Sequence, residues 1–196
     1  MSSLYARRGV IALLGGAVFA RSADAQVETP ARHGSPERRL QLLGIELPEP
    51  PRPVATYAPF RRSGRTLYLA GLGPANLGGE AARGRVGAEL SIEQGYAAAR
   101  AAGLNVLSLL RSACGGSLNR VRQCLRVGAF VASADDFHDQ PRVANGASDL
   151  FVEVFGQAGL HARFAVGVNT LPFGIPVEIE SAWEVRGAGL RCAGRA

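Results

Sequence analysis

Four potential metal ligands lie together in the segment DDFHD at positions 135–139. Carboxylate and imidazole groups are side chains that bind divalent cations, so the segment suggests a metal site. A turn that ends in Asp139 explains the same residues, because an aspartate can cap a helix that has Pro141 in its first turn. Since no second histidine lies nearby, the sequence favours the turn and predicts no metal site.

The basic residues exclude several kinds of cofactor chemistry. All 22 of them are arginine, and the chain contains no lysine. Schiff-base catalysis, the anchoring of pyridoxal phosphate and a Walker A loop each require a lysine amine. We therefore expect none of these cofactors, and the sequence predicts none of another kind.

The positive charge of the chain is a possible indication of nucleic-acid binding. The formal net charge is +6 and the isoelectric point is about 10.0. The arginines are scattered, however, and aromatic residues make up only 7% of the chain. A surface that follows phosphates usually has a denser basic stripe with exposed aromatic residues, so we expect no DNA partner.

Nucleophilic catalysis has few candidates in this sequence. The chain has three histidines, but no serine lies in the glycine pattern of a nucleophile elbow, which argues against a Ser-His-Asp hydrolase. Its three cysteines are widely spaced. Cys114 and Cys124 fall at a predicted helix end and in a predicted strand, where we expect buried free thiols.

The first 25 residues have the features of a signal peptide. Arg7-Arg8 precede the apolar run GVIALLGGAVFA, and Ala23-Asp24-Ala25 forms a small-x-small cleavage site. The apolar run is too short to cross a bilayer of about 30 Å, so we expect no stable membrane anchor. The sequence predicts a periplasmic or secreted protein, exported by the twin-arginine route or by the Sec route.

Two helices are predicted in the domain that follows a flexible, Pro/Arg-rich lead-in at residues 26–53. Ser91 and Gln94 form a capping box at the start of the first, and Gly115-Gly116 ends it. The second helix has an apolar stripe and, on its far side, a polar set. The stripe is Val143, Ala147, Leu150, Phe151 and Val154, and the polar set is Asn145, Asp149 and Glu153.

The remaining segments predict strands, because they are apolar or alternating runs bounded by glycine, proline or polar residues. The candidate strands cover residues 54–62, 66–70, 84–87, 120–131, 162–169 and 176–185. We predict one α+β domain over residues 54–186, with a mixed six-stranded sheet and both helices on one face. A C-terminal tail, 187–196, follows.

Alternation assigns the strand residues to a face under the helices and an open face. The predicted helix-facing residues of the last two strands are Phe164, Val166, Val168, Val177, Ile179, Ser181 and Trp183. The residues predicted on the open face are Arg122, Cys124, Arg126, Phe130, Arg163, Glu178, Glu180 and Glu184. A face that mixes charged and apolar side chains suits an interface between subunits.

The order of these elements and several motifs resemble the RidA/YjgF family, also called endoribonuclease L-PSP. The resemblance extends from about residue 53 to 185 and includes a 15-residue separation between Arg163 and Glu178. The other matching residues are Tyr57, Gly71, the Asn145-Gly-Ala-Ser-Asp helix start and the strand Val177-Glu178-Ile179-Glu180. A glycine-rich loop at 78–87 is similar to a longer subgroup, here with an export signal.

The resemblance implies a chorismate-mutase-like fold, a homotrimer and sites in the clefts between subunits. It also implies an enamine/imine deaminase, which hydrolyses 2-aminoacrylate-type compounds to 2-oxo acids. Arg163 would bind the substrate carboxylate, Glu178 would assist proton transfer and the attack of water, and Tyr57 and Asn145 would line the cleft. Simpler roles are a strand charge paired with Glu180 for Arg163, a strand residue for Glu178 or Tyr57, and a solvent-facing residue for Asn145.

Three residues depart from the family pattern. His161 replaces a proline, Ala165 replaces a cysteine and Ala70 replaces a serine. Thiol chemistry is absent at this site, and one possible hydrogen bond to the substrate is lost. These departures leave open a trimeric protein that binds small carboxylates without turnover, and the family's ribonuclease label is a third possibility.

Overall fold

The computed structural model describes residues 34–74 and 83–187 of the 196-residue chain. The helices are α1 (Pro36–Leu42), α2 (Ile92–Ala113) and α3 (Gln140–Phe155). The strands are β1 (Phe60–Ser63), β2 (Thr66–Leu72), β3 (Val121–Ala132), β4 (Ala162–Val168) and β5 (Val177–Val185). They form one mixed sheet in the order β1-β2-β5-β3-β4, in which only β3 and β4 are parallel neighbours.

The α+β architecture is confirmed, but the sheet has five strands rather than six. The segment predicted as a short strand at 84–87 makes only isolated bridges, from Val86 to Leu90 and to Ser133. Gly84 and Gly87 have φ angles of +116° and +87°, which turn the backbone away from an extended path. The glycines therefore limit pairing here to a single residue.

Part of the lead-in is folded. Ser35 caps α1, Leu40 is buried in the core, and the Glu37 carboxylate accepts a hydrogen bond of 2.7 Å from the backbone N–H of Leu118. Glu37 also forms an ion pair of 3.1 Å with Arg111 at the end of α2. Within the lead-in, Ser35 and the leucines that follow it indicate a short helical turn at residues 35–44, and α1 lies in this segment.

The helices α2 and α3 confirm the predicted pattern. The capping box of Ser91 and Gln94 is present, and the apolar stripe of α3 is completely buried. The prediction that Asp139 caps α3 was wrong in one respect. Asp139 occupies the N-cap position but makes no capping bond, because its carboxylate accepts a hydrogen bond of 3.3 Å from Arg142 instead.

The strand β5 alternates as predicted between buried and half-buried residues. Trp183 is fully buried between the rings of Phe151 and Phe155, each with a centroid separation of 5.2 Å. Its indole N–H donates to Ser181 Oγ at 2.9 Å, so the one buried polar group of the ring is satisfied. Trp183 thereby fixes α3 on the helix-facing side of the sheet.

The prediction for the first half of β3 was wrong. Cys124 is 3% exposed and pairs with Trp183 on β5, whereas Arg126 pairs with the next residue, Ala182. One extra residue on β3 forms a bulge there, and a bulge moves the following side chains to the other face. Cys114 and Cys124 are buried free thiols as predicted, and burial raises the pKa of the Cys114 thiol to about 11.

The two faces of β4 are also reversed from the prediction. The parallel register places Arg163 beside Val127 and Ala165 beside Ala129, two residues of β3 that are buried under the helices. Phe164 lies instead on the open face, where its ring contacts Phe130 at a centroid distance of 5.4 Å. An edge strand covered by the polar start of α3 does not direct its largest apolar side chains toward the helices.

Several predictions concern residues outside the described parts of the chain. The signal peptide at 1–25, the first part of the lead-in, Cys192 and the tail beyond residue 187 lie there, together with residues 75–82 of the glycine-rich loop. Within residues 34–74 and 83–187, no helix is long and apolar enough to cross a membrane.

Candidate functional site

Arg163 is the centre of the candidate site. It is the second residue of β4, and its side chain reaches across to α3. Its Nη1 atom donates to Asn145 Oδ1 at 2.8 Å and to Ser148 Oγ at 2.9 Å, and its Nη2 atom donates to the carbonyl of Pro141 at 3.3 Å. The structure therefore brings together two of the predicted site residues, Arg163 and Asn145.

All three acceptors of Arg163 are electrically neutral. Within the described parts of the chain, no carboxylate forms an ion pair with this guanidinium. The donors that have no described partner belong to Nε and Nη2, and these two atoms share one edge of the guanidinium. Such an edge can bind a carboxylate through two parallel charge-assisted bonds.

Two further residues of this cluster were not predicted. Ser148 lies three residues after Asn145 on α3, and its hydroxyl is 3.0 Å from His161 Nε2. His161 Nδ1 is 2.7 Å from the carbonyl oxygen of Gly159. Helical spacing places Ser148 beside Asn145, and His161 is two residues before Arg163, so both could have been identified from their positions.

Glu178 lies on β5 and faces the open side of the sheet. It pairs with Phe130 and is half-buried, and burial raises the pKa of its carboxyl group. A Cβ atom at Gly71 would lie 1.9 Å from Glu178 Oε1, so the carboxylate occupies the space that a side chain at position 71 would need. The absence of a side chain at Gly71 therefore leaves room for the Glu178 carboxylate.

Glu178 differs from the neighbouring glutamates of β5. Glu180 forms an ion pair of 3.6 Å with Arg126, and Glu184 forms one of 2.6 Å with Arg65. Among the described residues, Glu178 has no such cation. A half-buried carboxyl group with a raised pKa and no counterion is suited to donate or accept a proton.

One chain does not bring Arg163 and Glu178 together. They lie on opposite faces of the sheet, with β3 between their strands, and two strand spacings correspond to about 10 Å. Tyr57 lies at the opposite edge, just before β1, and its side chain is 46% exposed. The site residues therefore form two groups, one around Arg163 and one on the side of Glu178.

Comparison with known proteins identifies the family. Residues 37–176 match the family model described as "YjgF/chorismate_mutase-like, putative endoribonuclease". The chain belongs to the RidA/YjgF family. The predicted family and its chorismate-mutase-like fold are confirmed.

Three relatives of this RidA/YjgF protein cover most of the described domain. Protein TCP17 of Trypanosoma cruzi is 44% identical over 147 residues, which are 74% of this chain and 91% of that protein. The structure of Atu1372 from Agrobacterium tumefaciens is 38% identical, has a TM-score of 0.71 and covers 77% of this chain and 92% of that chain. A structure titled a putative endoribonuclease, from Shewanella oneidensis, is 33% identical, has a TM-score of 0.73 and covers 78% and 100%.

The segment DDFHD of this RidA/YjgF protein forms the turn before α3. Asp135 lies 3.8 Å from Arg85, and Asp139 bonds to Arg142. In the part of the chain that the structure describes, no three His, Cys, Asp or Glu side chains are arranged to hold a metal ion.

Proposed function

We propose that this protein is a RidA-like enamine/imine deaminase. Its substrates would be small carboxylated enamines and imines such as 2-aminoacrylate, and its products 2-oxo acids and ammonia. The observation that carries the proposal is the guanidinium of Arg163, which three neutral acceptors hold while one N–H at Nε and one at Nη2 have no partner among the described residues. A small carboxylate would supply the negative charge that the described residues do not bring to Arg163.

The proposed reaction needs one proton donor and one water molecule. The protonated Glu178 carboxyl group, favoured by its raised pKa, would transfer its proton to C3 of the enamine and leave an iminium ion. The Glu178 carboxylate would take a proton from a water molecule as that water adds to C2, and would then pass this proton to the nitrogen of the adduct. Cleavage of the C–N bond would release ammonia and leave the 2-oxo acid, while the hydroxyl proton returns to Glu178 and restores its protonated form.

The site in this proposal is shared between subunits of a homotrimer. Arg163 and Asn145 would come from one chain, and Glu178 and Tyr57 from its neighbour, which would explain why one chain keeps these groups apart. The open face of the sheet supports an interface, because it combines exposed apolar residues such as Tyr68 and Val166 with the ion pair of Arg126 and Glu180.

The activity can be tested with the mature chain and an enzyme that generates 2-aminoacrylate. We expect the chain to accelerate the release of pyruvate above the uncatalysed rate. The Arg163→Ala variant should lose the acceleration, and the Arg100→Ala variant should retain it, because Arg100 is paired with Glu153 on the outer surface of the helices. An unaccelerated reaction with the wild-type chain would reject the deaminase proposal.

The shared site can be tested by mixing two inactive variants. Chains with Arg163→Ala and chains with Glu178→Gln, co-expressed in equal amounts, would form some clefts in which both residues are intact. Random association predicts about a quarter of the wild-type activity, since each cleft must receive one particular variant on each side. If the mixture remains inactive although mixed trimers form, the two residues do not act across an interface.

A second function is a trimeric protein that binds small carboxylates without turnover. Ala70 and Ala165 favour it, because they provide neither the hydroxyl nor the thiol found in the family pattern. Calorimetry with 2-oxobutanoate distinguishes the two functions. Binding that requires Arg163, together with no turnover of any imine, would support the binding protein, and RNA cleavage that survives extensive repurification would revive the family's ribonuclease label.

We also propose that the protein acts in the periplasm or outside the cell. The proposal depends on Arg7-Arg8, the apolar run at 9–20 and the cleavage pattern at Ala23-Asp24-Ala25. Cell fractionation of the full chain and of a chain lacking residues 1–25 would test it. A full chain that remains unprocessed in the cytoplasm would contradict export.

A further inference from the structure

A directed series of hydrogen bonds lies behind Arg163. The carbonyl oxygen of Gly159 can only accept, so the hydrogen of the His161 ring must be on Nδ1, which lies 2.7 Å away. In the neutral ring, Nε2 is then an acceptor, and it receives the hydroxyl hydrogen of Ser148 at 3.0 Å. The lone pairs of Ser148 Oγ are therefore directed to the donor at Arg163 Nη1, 2.9 Å away.

We infer that Ser148 and His161 are positioning residues that hold the guanidinium of Arg163 in the orientation required to bind the substrate carboxylate. The inference rests on the carboxylate-binding role proposed for Arg163. Neither side chain needs to touch the substrate. Ser148 and His161 instead set the direction in which the Nε–Nη2 edge of Arg163 points.

The need for such a support follows from the length of the arginine side chain. Arginine has several rotatable bonds, and fixing them on binding costs conformational entropy. A chain of bonds that already fixes the guanidinium removes this cost from the binding step. His161 is itself held on two sides, by Gly159 and by an edge contact with the Phe151 ring at a centroid distance of 6.0 Å.

The chemistry of the two supports matters as much as their position. A carboxylate at either position would also orient Arg163 but would neutralise its charge. A hydroxyl and a neutral imidazole orient the guanidinium and leave its charge for the ligand. Burial and the neighbouring Arg163 charge both lower the pKa of His161, while the bond to Gly159 opposes this, so the ring favours its neutral form.

Calorimetry with 2-oxobutanoate and three variants of the full mature chain tests the inference. Ser148→Ala and His161→Asn each remove one link, since asparagine can bond to Gly159 but is too short to accept from Ser148. We expect both to weaken binding about tenfold, equivalent to about 1.4 kcal/mol. His161→Gln can present its amide oxygen to Ser148 and should bind within about twofold of the wild type.

A double-mutant cycle separates positioning from general structural support. In chains that carry Arg163→Ala, adding Ser148→Ala should cause no further loss of residual affinity. An equal loss in both backgrounds, or no loss with Ser148→Ala alone, would overturn the inference. If the wild-type chain binds 2-oxobutanoate through Arg163, and Ser148→Ala and His161→Asn bind it with the same affinity, the positioning role fails while the proposed function stands.

A ligand-free measurement keeps the inference testable even if the proposed function fails. Nitrogen-15 relaxation of the Arg163 Nε–Hε group should give an order parameter above about 0.8 in the wild type and below about 0.6 in Ser148→Ala. The Arg100 group, held by Glu153, is the internal control and should stay rigid in both. An unchanged Arg163 order parameter in the variant would show that Ser148 does not hold the side chain.

Discussion

Two arginines reach the same helix, α3, and meet different partners there. Arg100 on α2 bonds both carboxylate oxygens of Glu153, at 3.1 and 2.6 Å. Arg163 on β4 bonds the amide oxygen of Asn145 and the hydroxyl of Ser148. Both side chains are anchored by charge-assisted bonds, yet only Arg100 has its charge balanced by a carboxylate among the described residues.

The difference follows from a simple pattern on α3. The polar residues Asn145, Asp149 and Glu153 recur every four positions and so lie on one side of the helix. Asp149 accepts a hydrogen bond of 3.0 Å from the Tyr96 hydroxyl, and Glu153 pairs with Arg100. Only the first position is an amide rather than an acid. An amide at that position anchors an arginine without balancing its charge, which leaves the charge of Arg163 for the ligand that we propose it binds.

Removal of Arg163 should weaken ligand binding, whereas removal of Arg100 should lower stability. Arg163→Ala should weaken 2-oxobutanoate binding by at least about 100-fold, because two charge-assisted bonds to the ligand are lost. Arg100→Ala should leave binding intact and lower the free energy of unfolding by up to about 1 kcal/mol, since its ion pair is partly exposed. Calorimetry and urea unfolding of both variants measure these effects. Equal losses of affinity in the two variants would remove the distinction between the arginines.

Asn145→Asp should balance the charge of Arg163 and so weaken the ligand binding that we propose for this arginine. The substitution changes no heavy-atom positions and places a carboxylate 2.8 Å from Arg163 Nη1. We expect ligand binding to weaken about tenfold, or about 1.4 kcal/mol, while the free energy of unfolding is unchanged or rises. Calorimetry at low ionic strength would show this most clearly. Undiminished affinity would mean that the charge of Arg163 does not bind the ligand.

Glu178 and Glu180 provide a similar contrast on β5. Burial raises the pKa of Glu178 above its ordinary value of 4.5. Ionisation of this carboxyl group therefore opposes folding as the pH rises above that ordinary value, and the loss of stability is complete above the pKa of the folded state. Glu178→Gln should therefore be more stable than the wild type at pH 7, and this advantage should disappear at low pH, where the Glu178 carboxyl group is protonated in both the folded and the unfolded chain. Urea unfolding at fixed protein concentration measures the difference.

Glu180→Gln is the matched control for this prediction. It removes the partner of Arg126 and should not stabilise the chain at pH 7. A loss of stability in Glu178→Gln at pH 7 would indicate that a neighbouring subunit supplies Glu178 with a cation.

The smallest effect is expected for Glu153→Gln, the counterpart of the amide at position 145. Arg100 would keep one hydrogen bond and lose its counterion, so the free energy of unfolding should fall by less than about 0.5 kcal/mol. Ligand affinity should not change, because Arg100 is already held on the outer side of the helices. A measurable change in calorimetric affinity would show that the two ends of α3 are coupled.

Local patterns were sufficient to predict the helices and β5. The capping box at Ser91, the stripe of α3 and the alternation of β5 depend on residues that are close in sequence, and all are present. The link between Arg163 and Asn145 was predicted only as a shared cleft, on the basis of the family resemblance. The direct bond between them required the register of β4 against β3.

The incorrect predictions involve pairing between distant segments. Cys124 lies in the core because a bulge on β3 shifts its side chains against β5, and the sequence of β3 alone does not show where its pairing with β5 is interrupted. Arg163 lies under α3 because its neighbour on β3 is Val127, which is buried. The contacts that Ser148 and His161 make around Arg163 depend on the same placement of β4, so their positions in the sequence could suggest these residues but not their hydrogen bonds.

The contact of Gly71 with Glu178 has a consequence for evolution. A Cβ atom at position 71 would lie 1.9 Å from the carboxylate oxygen and 2.8 Å from its carbon, so a larger residue there would require the Glu178 side chain to move. A relative with a larger residue at the position of Gly71 should therefore carry a shorter residue at the position of Glu178 or hold this carboxylate in another rotamer. The two columns of a sequence alignment are accordingly expected to co-vary.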